Sequence, residues 1–164
     1  MLNEQQQLFR NAMSNLAAAV NVITSDGEAG KCGLTATAVC SVTDTPPTVL
    51  VCVNKNSEMN EVFKKNGKLC VNVCSAEQEE VACHFAGMTD LDMEQRFALD
   101  IWQEGVLDLP VLDGAIANLE GRIKDISEVG THSVLFVELE NIQTCDSQDA
   151  LVYFARNFKA VEAA

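Results

Sequence analysis

The chain has 164 residues, of which 48% are hydrophobic and 21% charged. That is enough for one folded domain over 1–164 with its own core, and it excludes a disordered polar segment. A formal net charge of −13 gives a surface that repels nucleic-acid phosphates, so no DNA or RNA partner is expected.

No apolar run approaches the roughly 18–20 residues of a membrane span. The stretch MLNEQQQLFR has neither the basic nor the apolar region of a secretory signal. The expectation is a cytoplasmic protein without a membrane partner. Seven cysteines, Cys32, Cys40, Cys52, Cys70, Cys74, Cys83 and Cys145, sit mostly in apolar runs, which predicts reduced core thiols. No CxxC pair occurs, and Cys70, Cys74, Cys83 and His84 have poor spacing for zinc.

Leu8, Phe9, Ala12, Met13, Leu16 and Ala19 recur at helical spacing and predict a helix over 4–19. Val20–Thr24 is a β-branched strand, and Ser25-Asp26-Gly27-Glu28 has hairpin-turn chemistry. The stretch from Gly30 to Ser57 predicts strands at 31–39 and 48–54 joined by a turn at Pro46-Pro47, which cannot donate to a ladder. Its first strand carries small residues, Gly33, Thr35, Ala36, Thr37 and Ala38, which let a flat ligand approach the backbone. Its end, Asn54-Lys55-Asn56-Ser57, offers an amide, a cation and a hydroxyl suited to a phosphate.

Ser57 is the expected N-cap of a helix that stops at Asn66-Gly67. A strand over 69–73 follows, then a capping box, Ser75 to Gln78, opening a helix to about Phe85. Residues 88–110 are irregular, with one short helix before Phe97 and with Trp102 and Leu107 covering the core. A strand and turn are predicted over 111–114, and strands over 116–126, 133–142 and 151–154, with a turn at 128–131. About seven strands with two or three helices around them predict an antiparallel barrel closed to protect its edges.

The two histidines differ in setting. His84, in a helix beside Cys83 and Phe85, reads as a helix-surface or packing residue. His132 follows Gly130-Thr131 at the mouth of a long strand, where a turn presents it at a rim. Arg156 is one of four arginines and a candidate for a phosphate or for a surface ion pair. GxSxG, GxGxxG and P-loop motifs are absent.

Taken together, GLTATAVCSVTDTPPTVLVCVN, NGKLCVNV, HFAG, GTH and LVYFARNF resemble the short-chain flavin reductases of two-component monooxygenases, over nearly the whole chain from Phe9 to Phe158. The resemblance implies a mainly β fold with peripheral helices, the FMN-binding split β-barrel, as a homodimer with flavin near the subunit interface. It implies NADH-dependent reduction of FAD or FMN, taken as a substrate or loosely bound, and delivery of reduced flavin to a flavin-dependent oxygenase component. By the same resemblance Thr35, Ala36, Thr37 and Ala38 line the ring and ribityl region, and Ser41, Asn54 and Ser57 hold polar flavin groups. His132 matches the nicotinamide-side histidine of a Gly-Asp-His motif that reads Gly-Thr-His here, and Tyr153 and Arg156 match an element near flavin or interface. Lys55 and Arg156 are the cations available to a phosphate. Two other readings remain open at this level: an electron-transfer flavoprotein with tightly bound flavin, and a non-catalytic flavin- or haem-binding module on the same barrel.

Overall fold

The computed structural model describes residues 1–145 and 149–164. Helix α1 (Glu4–Met13) opens with a reciprocal cap: Asn3 Oδ1 accepts from the Gln6 N–H at 2.8 Å, and Gln6 Oε1 accepts from the Asn3 N–H at 2.9 Å. The helix stops well short of residue 19. Ala18–Ala19 (β1) instead pairs with Val152 and Tyr153 of β11 (Ala150–Phe154), so alanines that read as helix are taken by a strand from the far end of the chain.

The main sheet is built from β2 (Asn21–Ser25), β3 (Cys32–Ala36), β4 (Val39–Asp44), β5 (Pro47–Asn54), β6 (Lys68–Val73), β9 (Ala117–Val129) and β10 (His132–Thr144). Every neighbouring pair in it is antiparallel and the order is β3-β2-β6-β9-β10-β5-β4. The strand predicted over 31–39 is therefore two strands at opposite sheet edges, separated in the chain by Thr37 and Ala38 alone. From Ala36 to Val39 the chain spans at most about 11 Å, whereas seven flat strands would put the edges about 29 Å apart. The sheet must curl until its edges approach at this end, which makes the fold a mainly β split barrel with its helices outside.

Inside the barrel Ile23, Val51, Val53, Leu69, Val71, Leu135 and Val137 pack around Phe63. Phe63 comes from α2 (Met59–Asn66), which ends as predicted at Gly67 with φ +67°. Ser57 is not the capping residue. The helix begins at Met59, and the Ser57 hydroxyl accepts the Met59 N–H at 3.3 Å from just outside it.

A second apolar cluster joins Val20, Val22, Cys74, Leu112 and Leu151 to Phe85 of α3 (Glu79–Phe85). The predicted box at Ser75 and Gln78 is present and opens a turn of 3-10 helix before α3. Past α4 (Met93–Phe97), β7 (Trp102–Glu104) pairs with β8 (Pro110–Leu112). Buried Asn72 pins that pair to the barrel, its Oδ1 accepting the Leu112 N–H at 2.9 Å and the Asn118 Nδ2 amide at 2.8 Å. The last strand, β12 (Asn157–Val161), completes a three-stranded sheet, β1-β11-β12, which the apolar pattern did not predict.

Among the described residues no helix is long and apolar enough to cross a membrane, and no three His, Cys, Asp or Glu side chains are grouped to hold a metal. The expectation of core thiols holds for Cys32, Cys70 and Cys74 only. Cys52 and Cys83 are half-buried, and Cys40 and Cys145 are exposed because β4 and the segment after β10 present edges to solvent.

Candidate active site at the split of the barrel

The segment that crosses between the barrel edges forms one wall of a groove of about 400 Å³. Leu34, Thr35, Ala36, Thr37 and Ala38 line that wall, and Cys52, Val53, Asn54 and Ser57 from β5 and the loop after it line the groove beside them, joined where the Cys52 N–H donates to the Ala38 carbonyl at 3.0 Å. Phe85 and Ala86, at the end of α3, close the side. Gly33 lets Phe85 approach: a Cβ at that position would stand 2.7 Å from the Phe85 ring. Ala36 and Ala38 add only methyl groups to the groove wall.

The polar groups divide into those already used and those left over. The Thr35 hydroxyl donates to the Ala82 carbonyl at 2.7 Å, so Thr35 ties β3 to α3 and presents only its methyl group and backbone. Asn54 Oδ1 accepts the Asn56 N–H at 2.9 Å. Asn54 Nδ2 and the Thr37 hydroxyl have no partner within the described residues, and the Ser57 hydroxyl has accepted a bond but not given one. Three donors are thus left open at the groove. None of the lining side chains carries a charge.

His132 does not line the groove but stands directly across from Asn54 in the β10–β5 register, where paired Cα atoms are about 5 Å apart. The hairpin that carries it turns on Gly130 (φ +53°) and Thr131, with the Thr131 hydroxyl 2.9 Å from His132 Nδ1. Behind it the Glu128 carboxylate takes a bond from Lys64 Nζ at 2.9 Å and from the Ser133 hydroxyl at 2.9 Å. These two bonds, Lys64 first, hold the Glu128 carboxyl below the usual carboxylate range, and the same bond raises the Lys64 ammonium. The Lys55 N–H donates to the Thr131 carbonyl at 2.9 Å, which closes the hairpin onto β5.

The structure brings together Thr35, Ala36, Thr37, Ala38, Asn54 and Ser57, with His132 at their rim. It does not bring the remaining candidates into the groove of the same chain. Ser41 lies on exposed edge strand β4, and Lys55 reaches out to Glu128 at 3.7 Å. Tyr153 stacks edge-on with Phe158 in the small sheet, and Arg156 is bonded to Asn11 of α1 at 2.7 Å. Leu34, Cys52, Val53, Phe85 and Ala86 were not foreseen as lining residues, although Phe85 and Ala86 stand in the HFAG block.

Of the two settings open to His84, the structure shows packing: it is 8% exposed and its Nδ1 is 2.8 Å from the Thr89 hydroxyl.

The model of the flavin reductase like domain matches residues 13–162. The reductase component of 4-hydroxyphenylacetate 3-monooxygenase from Pseudomonas aeruginosa is 65% identical over 161 residues, 98% of this chain and 95% of that one. Among solved structures, BorF, the flavin reductase component of a bacterial two-component tryptophan halogenase, is 29% identical with a TM-score of 0.89, over 96% of this chain and 99% of that one. The Streptomyces globisporus NADH:FAD oxidoreductase SgcE6, in complex with NAD and FAD fragments, is 27% identical with a TM-score of 0.86, over 97% of this chain and 94% of that one. A groove with small walls at the split of the barrel, a family match across nearly the whole chain and these relatives agree: the chain belongs to the flavin reductase-like family.

Proposed function

We propose that the protein is an NADH-dependent reductase of FAD or FMN, and that the reduced flavin it releases serves the oxygenase component of a 4-hydroxyphenylacetate 3-monooxygenase. The observation that carries this reading is the uncharged, small-walled groove at the barrel split with His132 opposite Asn54.

The residues present fit a flavin. Ala36 and Ala38 leave room for a flat ring, Leu34, Val53 and Phe85 give it apolar contact, and Thr37, Asn54 and Ser57 hold donors for its polar edge. The bound flavin and nicotinamide supply the redox chemistry, hydride transfer between stacked rings, and the protein's part is orientation and exclusion of water. No strong acid or nucleophile is required of the walls, which agrees with a lining of uncharged side chains. His132 orients the nicotinamide from the rim, with its ring steadied by Thr131. A groove open on one side holds the flavin loosely, as a substrate that must leave requires.

The protein acts as a homodimer. Support comes from α1 and the segment after it, where the large apolar side chains of Leu8, Phe9 and Leu16 are 62%, 64% and 65% exposed. Tyr153 and Arg156 lie in the layer beside α1 and serve that interface. Lys55 and Ser41 stand outside the groove walls and serve the phosphate end of the flavin.

The test is oxidation of NADH by the purified protein with FAD, FMN and riboflavin in turn, followed by loss of reduced-nicotinamide absorbance. Turnover with at least one flavin is expected, and none with any of the three overturns the proposal. His132→Ala is expected to lower kcat by about ten- to a hundredfold, the cost of lost orientation, with flavin affinity unchanged in a fluorescence titration. A wild-type kcat at saturating NADH removes the histidine from the mechanism.

A further inference from the structure

Three strands lie together where His132 stands. One row across them is Val129 of β9, His132 of β10 and Asn54 of β5, and the next row is Glu128, Ser133 and Val53. Glu128 is therefore one row in from the rim. Its carboxylate gathers contacts from three separate parts of the chain. Lys64 Nζ, on α2, stands 2.9 Å from Oε1. The Ser133 hydroxyl, on β10, donates to Oε2 at 2.9 Å. Lys55 Nζ, in the loop after β5, stands 3.7 Å from Oε2.

An exposed pair of lysine and glutamate usually holds little. This one differs in what lies behind it. Ser133 is 0% exposed and Asn60, on α2, is 2% exposed. Asn60 Nδ2 donates to the Ser133 hydroxyl at 3.1 Å and to the Val53 carbonyl at 3.2 Å. A line of bonds thus runs from the groove wall at Val53 through buried Asn60 and Ser133 to Glu128. Lys64 also meets Glu61 on its own helix at 3.2 Å, so its bond to Glu128 is the one that carries α2 to the hairpin.

Both chain neighbours of His132 are held by this arrangement. Ser133, after it, is bonded to the carboxylate. Thr131, before it, accepts the Lys55 N–H at 2.9 Å, and the ammonium of the same lysine faces Glu128. The Thr131 hydroxyl is in turn 2.9 Å from His132 Nδ1. Glu128 brackets the histidine without lining the groove.

We infer that Glu128 is a positioning residue: it fixes the hairpin that presents His132 relative to Asn54 and Ser57 of the groove. The inference rests on the reading of the groove and of His132 given above. His132 stands beside a turn, and a displacement of about 1 Å at a reacting site can cost on the order of a hundredfold in rate.

Hydrogen exchange and kinetics test the inference separately. In Glu128→Ala the amides of the hairpin, residues 126–133, and of the loop, residues 54–57, should both exchange faster, with thermal unfolding showing the fold intact. Glu128→Gln keeps an acceptor for Ser133 but gives up the charge, and it carries the same measurements if the alanine variant unfolds. Loss of Glu128 should lower kcat about five- to tenfold, with flavin affinity unchanged in a fluorescence titration. The deciding comparison is the double variant. In a His132→Ala background the loss of Glu128 should lower kcat no further, because the carboxylate acts through the histidine.

Unchanged exchange in either segment overturns the inference. So does a wild-type kcat in the Glu128 variant, a flavin affinity that falls with kcat, or a double variant whose loss is the product of the two single losses. A wild-type kcat in His132→Ala removes the histidine from the mechanism and Glu128 with it. If the wild type oxidises no NADH with any flavin, the reductase reading falls, and exchange alone decides whether Glu128 holds the hairpin to the loop.

Discussion

Glu120 is 1% exposed, and the partners of its side chain are all N–H donors: the backbone of Val106 and Leu107 at 3.2 and 2.9 Å, and Asn141 Nδ2 at 2.8 Å. The carboxylate holds the loop before β8 against the barrel wall, helped by Lys68, whose ammonium donates to the Leu107 carbonyl. Removing it strands buried donors, each at about 1–3 kcal/mol. Glu120→Ala is expected to cost about 3 kcal/mol, and at roughly 2–4 °C per kcal/mol for a chain of this size the melting temperature should fall by about 6–12 °C.

Thiols follow the same logic of burial. Burial pushes the Cys32 and Cys74 thiols up to about 12, with the Asp26 charge adding to Cys32, and Cys70 is raised further by burial and by Glu120. An alkylating reagent acts on thiolate. On the folded protein it should label exposed Cys40 and spare Cys32, Cys70 and Cys74, read as mass added per tryptic peptide. Labelling of Cys70 in native buffer would show that the sheet opens far more readily than its packing implies.

At the level of elements, the residues that read correctly are those whose neighbours in sequence decide their structure. Asn66-Gly67 ends a helix and Ser75 with Gln78 starts one because a cap is a local event. The break at Thr37-Ala38 was invisible: every residue from Cys32 to Asp44 tolerates extended backbone, and only the change of partner from β2 to β5 divides the run. The groove was legible in part for the same reason. Its small residues are contiguous in sequence, whereas Phe85 arrives from a helix and the rim residue His132 from β10, the strand next to β5 in the sheet. Arg156, a candidate for a phosphate or for a surface ion pair because cations are scarce, is delivered by its own turn to Asn11.

That turn carries strain of its own. Ala155 and Arg156 form the two-residue link between β11 and β12 with φ of +50° and +62°, a conformation that suits glycine or asparagine. The Ala155 N–H donates to the Ser14 carbonyl at 2.7 Å, so the link is held against the end of α1. Ala155→Gly keeps that bond and relieves the side-chain clash. It is expected to raise stability by up to about 1 kcal/mol, measured as the shift in urea midpoint at constant m.

For the whole molecule, the decisive pairings join distant parts of the chain: Asn54 to His132, Asn21 to Val73, and Ala18 to Tyr153. At translation speeds of about 5–20 residues per second, the interval between completion of β5 and arrival of β10 is on the order of ten seconds. Through that interval Val49, Val51 and Val53 have no β10 to cover them, and the N-terminal alanines wait longer still for β11. A nascent chain therefore leaves the ribosome as a sticky, half-built wall, a client for holding chaperones until its last strands emerge. Ribosome-stalled chains ending near residue 130 should be cut by protease throughout, while chains with the full sequence clear of the exit tunnel should resist it.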